Sequence, residues 1–335
     1  MTRVWFNHWF STAYHLINMM KEHNALTFIG SSSNSLAIYS RACDEWYEEK
    51  DGMTGEDYVN FCLDFCQEHE IDIFVPRRHL VSVVQNSKRF EKLGVRLFAD
   101  TNAELIQILD NKQETYRYFA ERFPSCVPEY HIAHSLDEFM TFYYQMQTPN
   151  TRVCYKLTVD EGARSFRVID DRIETSIGLL ERPGSKVTLS SAQKILETYD
   201  FSVPILMMPY LDGVEISVDC LKTASGNLII PRYKTNKRYS EIIFNAEIME
   251  MCSKIMDITG LRMPLNIQFK KHNNKPYLLE INPRMSGGLQ LSCKATGLNI
   301  PDLAISQLLG IDKSWTYPAI VSQKVAHIET PICLN

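Results

Sequence analysis

Short apolar runs alternate with amphipathic stretches along the first 110 residues of the chain. The runs are bounded by polar turns, which is typical of buried strands, whereas the stretches carry apolar residues at helical spacing. The predicted strands cover residues 3–6, 25–29, 71–75 and 95–98. The predicted helices cover residues 12–22, 56–69, 78–93 and 102–109. Strands that alternate with helices predict an α/β domain built on a doubly wound parallel sheet.

The pattern is more mixed after residue 110 and predicts an α+β arrangement in the C-terminal part. A helix is predicted over 112–122, and Asp110 is expected to cap it. The other predicted helices cover 135–146, 190–199, 240–260 and 298–309. The predicted strands cover 128–132, 153–157, 204–210 and 228–230, and an edge strand is expected within 318–330.

A predicted hairpin near the C-terminus carries the most informative polar residues. Two apolar runs, residues 265–269 and 277–280, flank the polar segment KKHNNKP. Side chains two apart in a strand share a face, so Glu280 and Asn282 lie together on one strand and Gln268 lies on the other. One carboxylate and two amide oxygens form a plausible Mg²⁺ site, because Mg²⁺ prefers oxygen ligands.

The segment after the hairpin adds features of an anion site. Arg284 supplies a fixed positive charge, and Ser286-Gly287-Gly288 lets backbone N–H groups approach an anion. A Glu/Asn pair at a strand end is also typical of a solvated surface or a helix cap, so the motif alone leaves both interpretations open. In the first domain, Arg77 and Arg78 follow a predicted strand, where they could hold an acidic substrate or simply begin a solvated helix.

Composition narrows the function classes. The 335 residues are 45% hydrophobic, enough for two or three packed units, and the net charge of −5 argues against nucleic acid and an anionic membrane as partners. Nine scattered cysteines are typical of reduced thiols in a cytosolic protein. We expect a cytoplasmic protein, because no signal pattern and no membrane-spanning apolar run is visible. A homo-oligomer is left open.

Three motifs, NIQF, EINPR and SCKATG, together resemble the metal- and phosphate-binding end of an ATP-grasp domain. The resemblance is closest to one synthetase unit of the carbamoyl-phosphate synthetase large subunit. It implies a pre-ATP-grasp Rossmann-like domain over 1–110 and a two-lobed ATP-grasp domain over 111–335. The lid subdomain would cover about 125–203 and the C-terminal catalytic lobe about 204–335. Gly287-Gly288 depart from the more polar residues of that synthetase.

The resemblance implies ATP and Mg²⁺ as cofactors, with Mn²⁺ as an alternative metal. Gln268, Glu280 and Asn282 would hold the metal. Lys112 would contact an ATP phosphate and Lys156 would lie near the adenine and the α-phosphate. Lys156 and Arg284 are the expected catalytic residues, with Arg284 stabilising the transferring phosphoryl group or an acyl phosphate.

The resemblance also implies the nucleotide contacts of the segment PILMMPYLDGVEISVD. The adenine slot would be lined by Met207, Met208, Pro209 and Tyr210. Glu215 would accept hydrogen bonds from the ribose hydroxyls, although alternation alone would place both Glu215 and Asp219 on a solvated face. In the basic run PRYKTNKRYS, Arg232 and Lys234 are expected to reach the phosphates or an acidic acceptor, whereas a solvated loop is the simpler interpretation of such a run.

The weakest part of the resemblance is the segment TVDEGARSFR, residues 158–167, where relatives carry a glycine-rich phosphate flap. Gly162 is its only glycine, and Arg164 and Arg167 could replace some backbone donors. The expected function is an ATP-dependent, ADP-forming ligase that joins an anionic carboxylate to an amine or ammonia. Two alternatives stay open: a nucleotide-binding protein with weakened catalysis, which the altered flap favours, and an ATP-grasp phosphotransferase.

Overall fold

The computed structural model describes residues 1–22, 25–160, 164–173, 184–235, 238–319, 322–328, 331 and 333. The chain forms two compact units. Unit 1 comprises Met1–Leu109, Val214–Phe269 and Leu279–Asn335, and unit 2 comprises Asp110–Gly213 and Lys270–Leu278. The predicted boundary near residue 110 is thus also a boundary between units, while the assignment of functional domains stays a prediction. The predicted flap residue Gly162 lies outside the described residues.

The N-terminal part of unit 1 is a five-stranded parallel sheet in the order β3-β2-β1-β4-β5. Its strands are β1 (Thr2–Asn7), β2 (Leu26–Ser32), β3 (Glu45–Glu48), β4 (Ile73–Val75) and β5 (Arg96–Leu97). Its helices are α1 (Ala13–Lys21), α2 (Gly55–Glu68), α3 (Leu80–Gln85), α4 (Ser87–Lys92) and α5 (Ala103–Asp110). The predicted doubly wound α/β sheet is confirmed.

Two local features of this N-terminal part differ from the prediction. The segment 78–93 forms two helices, because α3 ends at Asn86, which begins α4. Strand β3 was missed, because its sequence EWYE has no apolar run and its residues are only partly buried at the sheet edge. Pairing with β2 defines this strand, and a pairing between distant segments is not visible in local periodicity.

Unit 2 contains a second five-stranded sheet in the order β6-β10-β7-β8-β9. Its strands are β6 (His131–Ala133), β7 (Val153–Leu157), β8 (Arg167–Ile169), β9 (Lys186–Val187) and β10 (Ile205–Pro209). Its helices are α6 (Lys112–Arg122), α7 (Leu136–Met146) and α8 (Leu189–Leu196). The cap of α6 is Asn111 and not Asp110 as predicted, since the Asn111 side chain accepts from the backbone N–H groups of Gln113 and Glu114.

The C-terminal part contains a six-stranded sheet in the order β15-β14-β11-β12-β13-β16. Its strands are β11 (Glu215–Thr223), β12 (Gly226–Tyr233), β13 (Ser240–Ile242), β14 (Leu265–His272), β15 (Lys275–Asn282) and β16 (Gln323–Val325). The helices are α9 (Ala246–Thr259), α10 (Leu289–Thr296) and α11 (Ile300–Leu308). The predicted hairpin is confirmed as β14–β15, and Asn273 and Asn274 form its two-residue turn with φ of 50° and 63°. Both angles are left-handed, as a hairpin turn of type I′ requires.

The predicted helix 240–260 begins too early. Residues Ser240–Ile242 form strand β13, which pairs with β12 and β16, and α9 starts after Asn245, whose side chain caps it. Helix α9 ends at Gly260 as predicted, with φ of 67°. Helix α10 was not predicted, because the Gly-Gly turn and the SCKATG segment were interpreted as family motifs and were not assigned a secondary structure.

One hydrophobic core joins the N-terminal sheet to the C-terminal part within unit 1. Val4, Phe6 and Leu16 belong to the same buried cluster as Leu221 and Ile300. This shared core explains why segments separated by more than 100 residues form a single compact unit. Within the described part of the chain, the helices lack the combination of length and apolar character that a membrane crossing requires.

Candidate functional site

The three predicted metal ligands lie on two neighbouring strands of unit 1. Gln268 is on β14 and Glu280 and Asn282 are on β15, and all three side chains are partly exposed. Glu280 and Asn282 alternate with the buried Ile281, so they share the accessible face of β15. The Asn282 side-chain amide donates to Glu280 Oε1 over 3.0 Å.

The chemistry of this donor set fits a hard divalent cation. A carboxylate and two amide groups offer only oxygen atoms to a metal, which suits Mg²⁺. The Gln268 amide nitrogen donates to Asn266 Oδ1 over 3.2 Å, and this bond orients the amide. No cluster of three His, Cys, Asp or Glu side chains arranged for a metal occurs among the described residues. The proposed set has one carboxylate and two amides, so it lies outside that class of site.

Arg284 follows the hairpin directly. Its guanidinium contacts Met285 O at 3.2 Å and Asn282 Oδ1 at 3.4 Å, so it lies beside one of the proposed metal ligands. It also lies 5.7 Å from the ring centroid of Phe10, and Arg77 lies 6.0 Å from the same ring. The segment after β4 and the segment after the hairpin thus contribute one arginine each near Phe10 within unit 1.

A buried polar network beside Gln268 was not predicted. Asp219 on β11 is 2% exposed, which overturns the expectation that it lies on a solvated face. Its carboxylate accepts from Asn266 over 2.9 Å, from the Ser286 hydroxyl over 2.6 Å and from the Ser292 hydroxyl over 2.6 Å. The network therefore connects β11, β14, the 286–288 turn and α10. The sequence signal for it is a carboxylate within the apolar run of β11.

Arg232 belongs to this network. It is 5% exposed, and its guanidinium lies 3.8 Å from Asp219 Oδ2 and donates to Ser217 Oγ over 3.2 Å. The backbone of Gly288 passes close to it, since a Cβ built at that position would lie 2.6 Å from Arg232 Cζ. Arg232 was expected to reach a phosphate or an acceptor, and its observed contacts are to Asp219 and to hydroxyl groups.

Glu215 and Lys234, both expected to contact the nucleotide, form an ion pair with each other. The backbone N–H of Lys234 also donates to Glu215 O over 2.9 Å. Both side chains are roughly a third to two-fifths exposed, so solvent screens the pair and either group can exchange this partner for a ligand.

In unit 2, the two predicted lysines have different environments. Lys156 lies partly buried on β7, opposite Leu206 of β10. Lys112 is 7% exposed, and its ammonium donates to Asp160 O over 2.9 Å. Lys112 therefore holds the beginning of the segment that was predicted as a phosphate flap.

The described ends of this segment are held by hydrogen bonds. Asp160 Oδ2 accepts from both the backbone N–H and the hydroxyl of Ser165, over 2.8 and 2.6 Å. The Thr158 hydroxyl is fully buried and has no hydrogen-bond partner among the described residues. Buried hydroxyls are normally paired, so the unpaired Thr158 hydroxyl is unusual.

Strand β10 and the residue after it carry the four residues predicted to line the adenine slot. Met207 and Met208 are buried, and Pro209 and Tyr210 are partly exposed. Pairing with β6 covers Ile205 to Met207, whereas pairing with β7 extends to Pro209. The ring of Tyr210 lies within 4.6 Å of Arg152 and 4.5 Å of Lys270, both in unit 2.

Known proteins resemble this chain in sequence and in fold. A family model described as ATP-grasp in the biosynthetic pathway with Ter operon matches residues 201–331. The carbamoyl phosphate synthase large chain of Thermoanaerobacter sp. is 27% identical over 209 residues, which cover 53% of this chain and 19% of that protein. The chain therefore spans about a fifth of the length of this curated relative.

Solved structures match almost the whole chain. The N5-carboxyaminoimidazole synthetase of Staphylococcus aureus, solved with ADP, superposes with a TM-score of 0.72 at 12% identity, covering 95% of this chain and 79% of that one. The biotin carboxylase domain of the Hydrogenobacter thermophilus 2-oxoglutarate carboxylase, solved with MgADP and bicarbonate, gives 0.66 at 14% identity, covering 94% and 71%. At such identities these matches establish the fold.

Proposed function

Because this chain belongs to the ATP-grasp superfamily, we propose that it is an ATP- and Mg²⁺-dependent ligase that activates a small-molecule carboxylate for capture by an amine or ammonia. The observation that carries the proposal is the placement of Gln268, Glu280 and Asn282 on neighbouring strands, with Arg284 beside Asn282. These residues supply metal-binding oxygens and a cation, the two things that phosphoryl transfer requires.

The reaction would proceed in two steps. A carboxylate oxygen attacks the γ-phosphorus of ATP, the bond to the bridging oxygen of ADP breaks, and an acyl phosphate forms. The amine nitrogen then attacks the acyl carbon, phosphate leaves with the bonding electrons, and the nitrogen loses a proton. Neither step needs a serine or cysteine nucleophile, because positioning and charge neutralisation supply the catalysis.

The residues of unit 1 have distinct proposed roles. When bound, Mg²⁺ would neutralise phosphate charge, and Gln268, Glu280 and Asn282 would hold it. Arg284 stabilises the transferring phosphoryl group, because its planar guanidinium suits phosphate oxygens. Glu215 accepts from the ribose hydroxyls after exchanging its contact with Lys234, which turns to phosphate or to the acceptor. Arg232 positions Asp219 and the 286–288 turn through the contacts described above.

The residues of unit 2 have proposed roles toward the nucleotide. Lys156 and Lys112 offset phosphate charge, and the ammonium of Lys112 has three donors, one of which contacts Asp160 O. The backbone of Met208 and Pro209, which extends past the pairing with β6, and the partly exposed ring of Tyr210 bind adenine. The Met207 side chain is fully buried in the core of unit 2 and supports the strand from inside, contrary to the expectation that it lines the adenine slot.

A nucleotide-binding protein with weakened catalysis is the second candidate. The observation that favours it is the single glycine in residues 158–167, where the resembled enzymes carry a glycine-rich flap. Such a protein would bind Mg·ATP without forming ADP.

The test uses the full chain with Mg·ATP and a metabolite extract, with mass spectrometry of the products. ADP formation together with an ATP-dependent condensation product supports the ligase. Mg·ATP binding by calorimetry without ADP formation supports the second candidate and contradicts the first. A stable phosphorylated product, with no amide, would identify a phosphotransferase instead.

A further inference from the structure

Unit 2 contains a cavity of about 330 Å³ to which the proposed ligase function assigns no role. It is lined by residues of β7 and β10, by β8 and the segment before it, and by α8 and the residues after that helix. Binding pockets for small molecules are typically ~300–1,000 Å³, so the cavity has room for a small organic molecule.

The cavity lies on the face of the sheet opposite to that of Lys156. Side chains alternate along β7, so Tyr155 and Leu157 share one face and Lys156 lies on the other. Tyr155 and Leu157 line the cavity, and Tyr155 belongs to the same buried cluster as Ala192 and Leu196 of α8. The sheet therefore separates the cavity from the face on which Lys156 is proposed to meet the nucleotide.

Arg167 supplies a positive charge to the cavity. It lies directly opposite Tyr155 in the pairing of β7 with β8, and residues opposite each other in paired strands share a face. Its guanidinium donates to Arg164 O over 2.9 Å and to Phe166 O over 2.8 Å. Among the described residues, these carbonyls are its hydrogen-bond partners and no carboxylate pairs with it. A guanidinium without a counter-ion is suited to binding an anion.

Tyr155 supplies a neutral donor beside this charge. Burial raises the pKa of Tyr155, so its hydroxyl stays protonated and can donate a hydrogen bond. The charge of Arg167 acts on this pKa in the opposite direction, because the two groups are close. The guanidinium and the phenol can therefore bind the same anionic group.

The other three hydroxyls of the cavity already donate to groups of unit 2. The acceptors are Asp160 Oδ2 for Ser165, Ile195 O for Thr198 and Val203 O for Tyr199. No aspartate or glutamate is found among the described lining residues. An anion in the cavity would thus find its donors in Arg167 and Tyr155, and a cation would be repelled by Arg167.

The remaining described lining residues are apolar. Leu196 and Ile205 are buried, whereas Ile195 is 55% exposed. A ligand with an apolar body would remove the Ile195 side chain from water, which is favourable. The composition of the cavity therefore matches a molecule that carries both an anionic group and a hydrocarbon part.

We propose that this cavity of unit 2 binds a small organic anion with an apolar body. Arg167 and the hydroxyl of Tyr155 bind the anionic group, and Ile195, Leu196 and Ile205 contact the body. The inference goes beyond the proposed ligase function and does not depend on it. The site is separate from the residues proposed for the nucleotide and the metal.

The test measures binding of four probes to the full chain by saturation-transfer NMR and calorimetric titration. Hexanoate has both the anionic group and the apolar body, acetate has the anionic group alone, hexanol has the body alone, and hexylamine reverses the charge. Hexanoate should bind more tightly than each of the other three. No binding of hexanoate, or binding of acetate, hexanol or hexylamine as tight as that of hexanoate, would overturn the proposal.

Two variants locate the bound probe. Arg167→Gln should weaken hexanoate binding about tenfold or more, the usual loss for a charge-assisted hydrogen bond. Tyr155→Phe should weaken it about threefold, and it keeps the ring that packs 5.2 Å from Phe139, so the core is preserved. Lys194→Gln is the matched control, because it removes a positive charge from an exposed position of α8 that does not line the cavity.

The control Lys194→Gln should bind hexanoate as the native chain does. Equal hexanoate affinity in the native chain, Arg167→Gln and Tyr155→Phe would overturn the proposal, and so would an equal loss in Lys194→Gln and Arg167→Gln. Thermal midpoints of all variants show whether they are folded. A repeat of the hexanoate titration with saturating Mg·ATP separates the two sites, because displacement of hexanoate by Mg·ATP would place the probe at the nucleotide site and contradict the assignment.

Discussion

The carboxylate of Asp219 lies 3.8 Å from the guanidinium of Arg232, and both side chains are almost fully buried. Charges are costly to bury unless they are paired and hydrogen-bonded. Asp219 satisfies this condition with three further hydrogen bonds, from Asn266, Ser286 and Ser292. Asn266 in turn contacts Gln268, so the buried pair supports the strand that bears one proposed metal ligand.

Replacing Asp219 by Asn should destabilise unit 1 strongly. The substitution keeps the size of the side chain but leaves Arg232 as a buried charge without its anion, which typically costs ~3–5 kcal/mol. Urea denaturation of the variant measures the change in the free energy of unfolding. Asp257→Asn is the matched control, because the Asp257–Lys222 pair is exposed and should be worth at most ~1 kcal/mol. Similar stabilities for the two variants would contradict the role assigned to the buried pair.

Replacing Glu280 by Gln should abolish catalysis and preserve the fold. Gln retains an oxygen that accepts from Asn282, but it lacks the negative charge that holds the metal. Loss of several kcal/mol of transition-state stabilisation predicts a fall of about 100-fold or more in ADP formation, with an unchanged thermal midpoint. Glu250→Gln on the exposed side of α9 is the control. Full activity in Glu280→Gln would refute the metal assignment.

Replacing two adjacent glycines, Gly287 and Gly288, by alanine should have unequal effects on stability. A Cβ at position 288 would lie 2.6 Å from Arg232 Cζ, whereas one at position 287 would meet its nearest atom, Thr12 Oγ1, at an ordinary 3.7 Å. Arg232 is held by buried contacts and cannot easily shift, so Gly288→Ala should cost ~1–3 kcal/mol and Gly287→Ala should be nearly neutral. Thermal denaturation of both variants checks the difference. An equal effect would show that the turn moves freely.

Part of the stability of unit 2 should come from the ion pair between Asp170 and Arg172, which is lost at low pH. The hydrogen bond from Arg172 lowers the pKa of Asp170 to about 2, from an ordinary value of 3.8. The stabilisation is fully present above the ordinary pKa and is lost as the pH falls through about 2. Asp170→Asn should therefore be less stable than the native chain at pH 5, and the difference should shrink toward pH 2. Denaturation curves at several pH values test this, and a constant difference would contradict it.

The residues of the candidate site could be found from the sequence because they form local patterns. Alternation in a strand and the resemblance of the motifs to an ATP-grasp domain selected Gln268, Glu280 and Asn282, and the structure places them on neighbouring strands. The doubly wound sheet was equally accessible, since each buried strand and each amphipathic helix leaves its own periodicity.

The tertiary structure decided which polar residues are buried and what they contact. Asp219 looks solvated by alternation, yet β11 is buried over consecutive residues from Ile216 to Leu221, and both α9 and α11 pack against it. Strand β16, which pairs with β13 at the sheet edge, comes from a segment more than 80 residues away in the sequence. Burial, ion pairing and sheet pairing depend on such distant segments meeting, and periodicity within one segment carries no information about its partners.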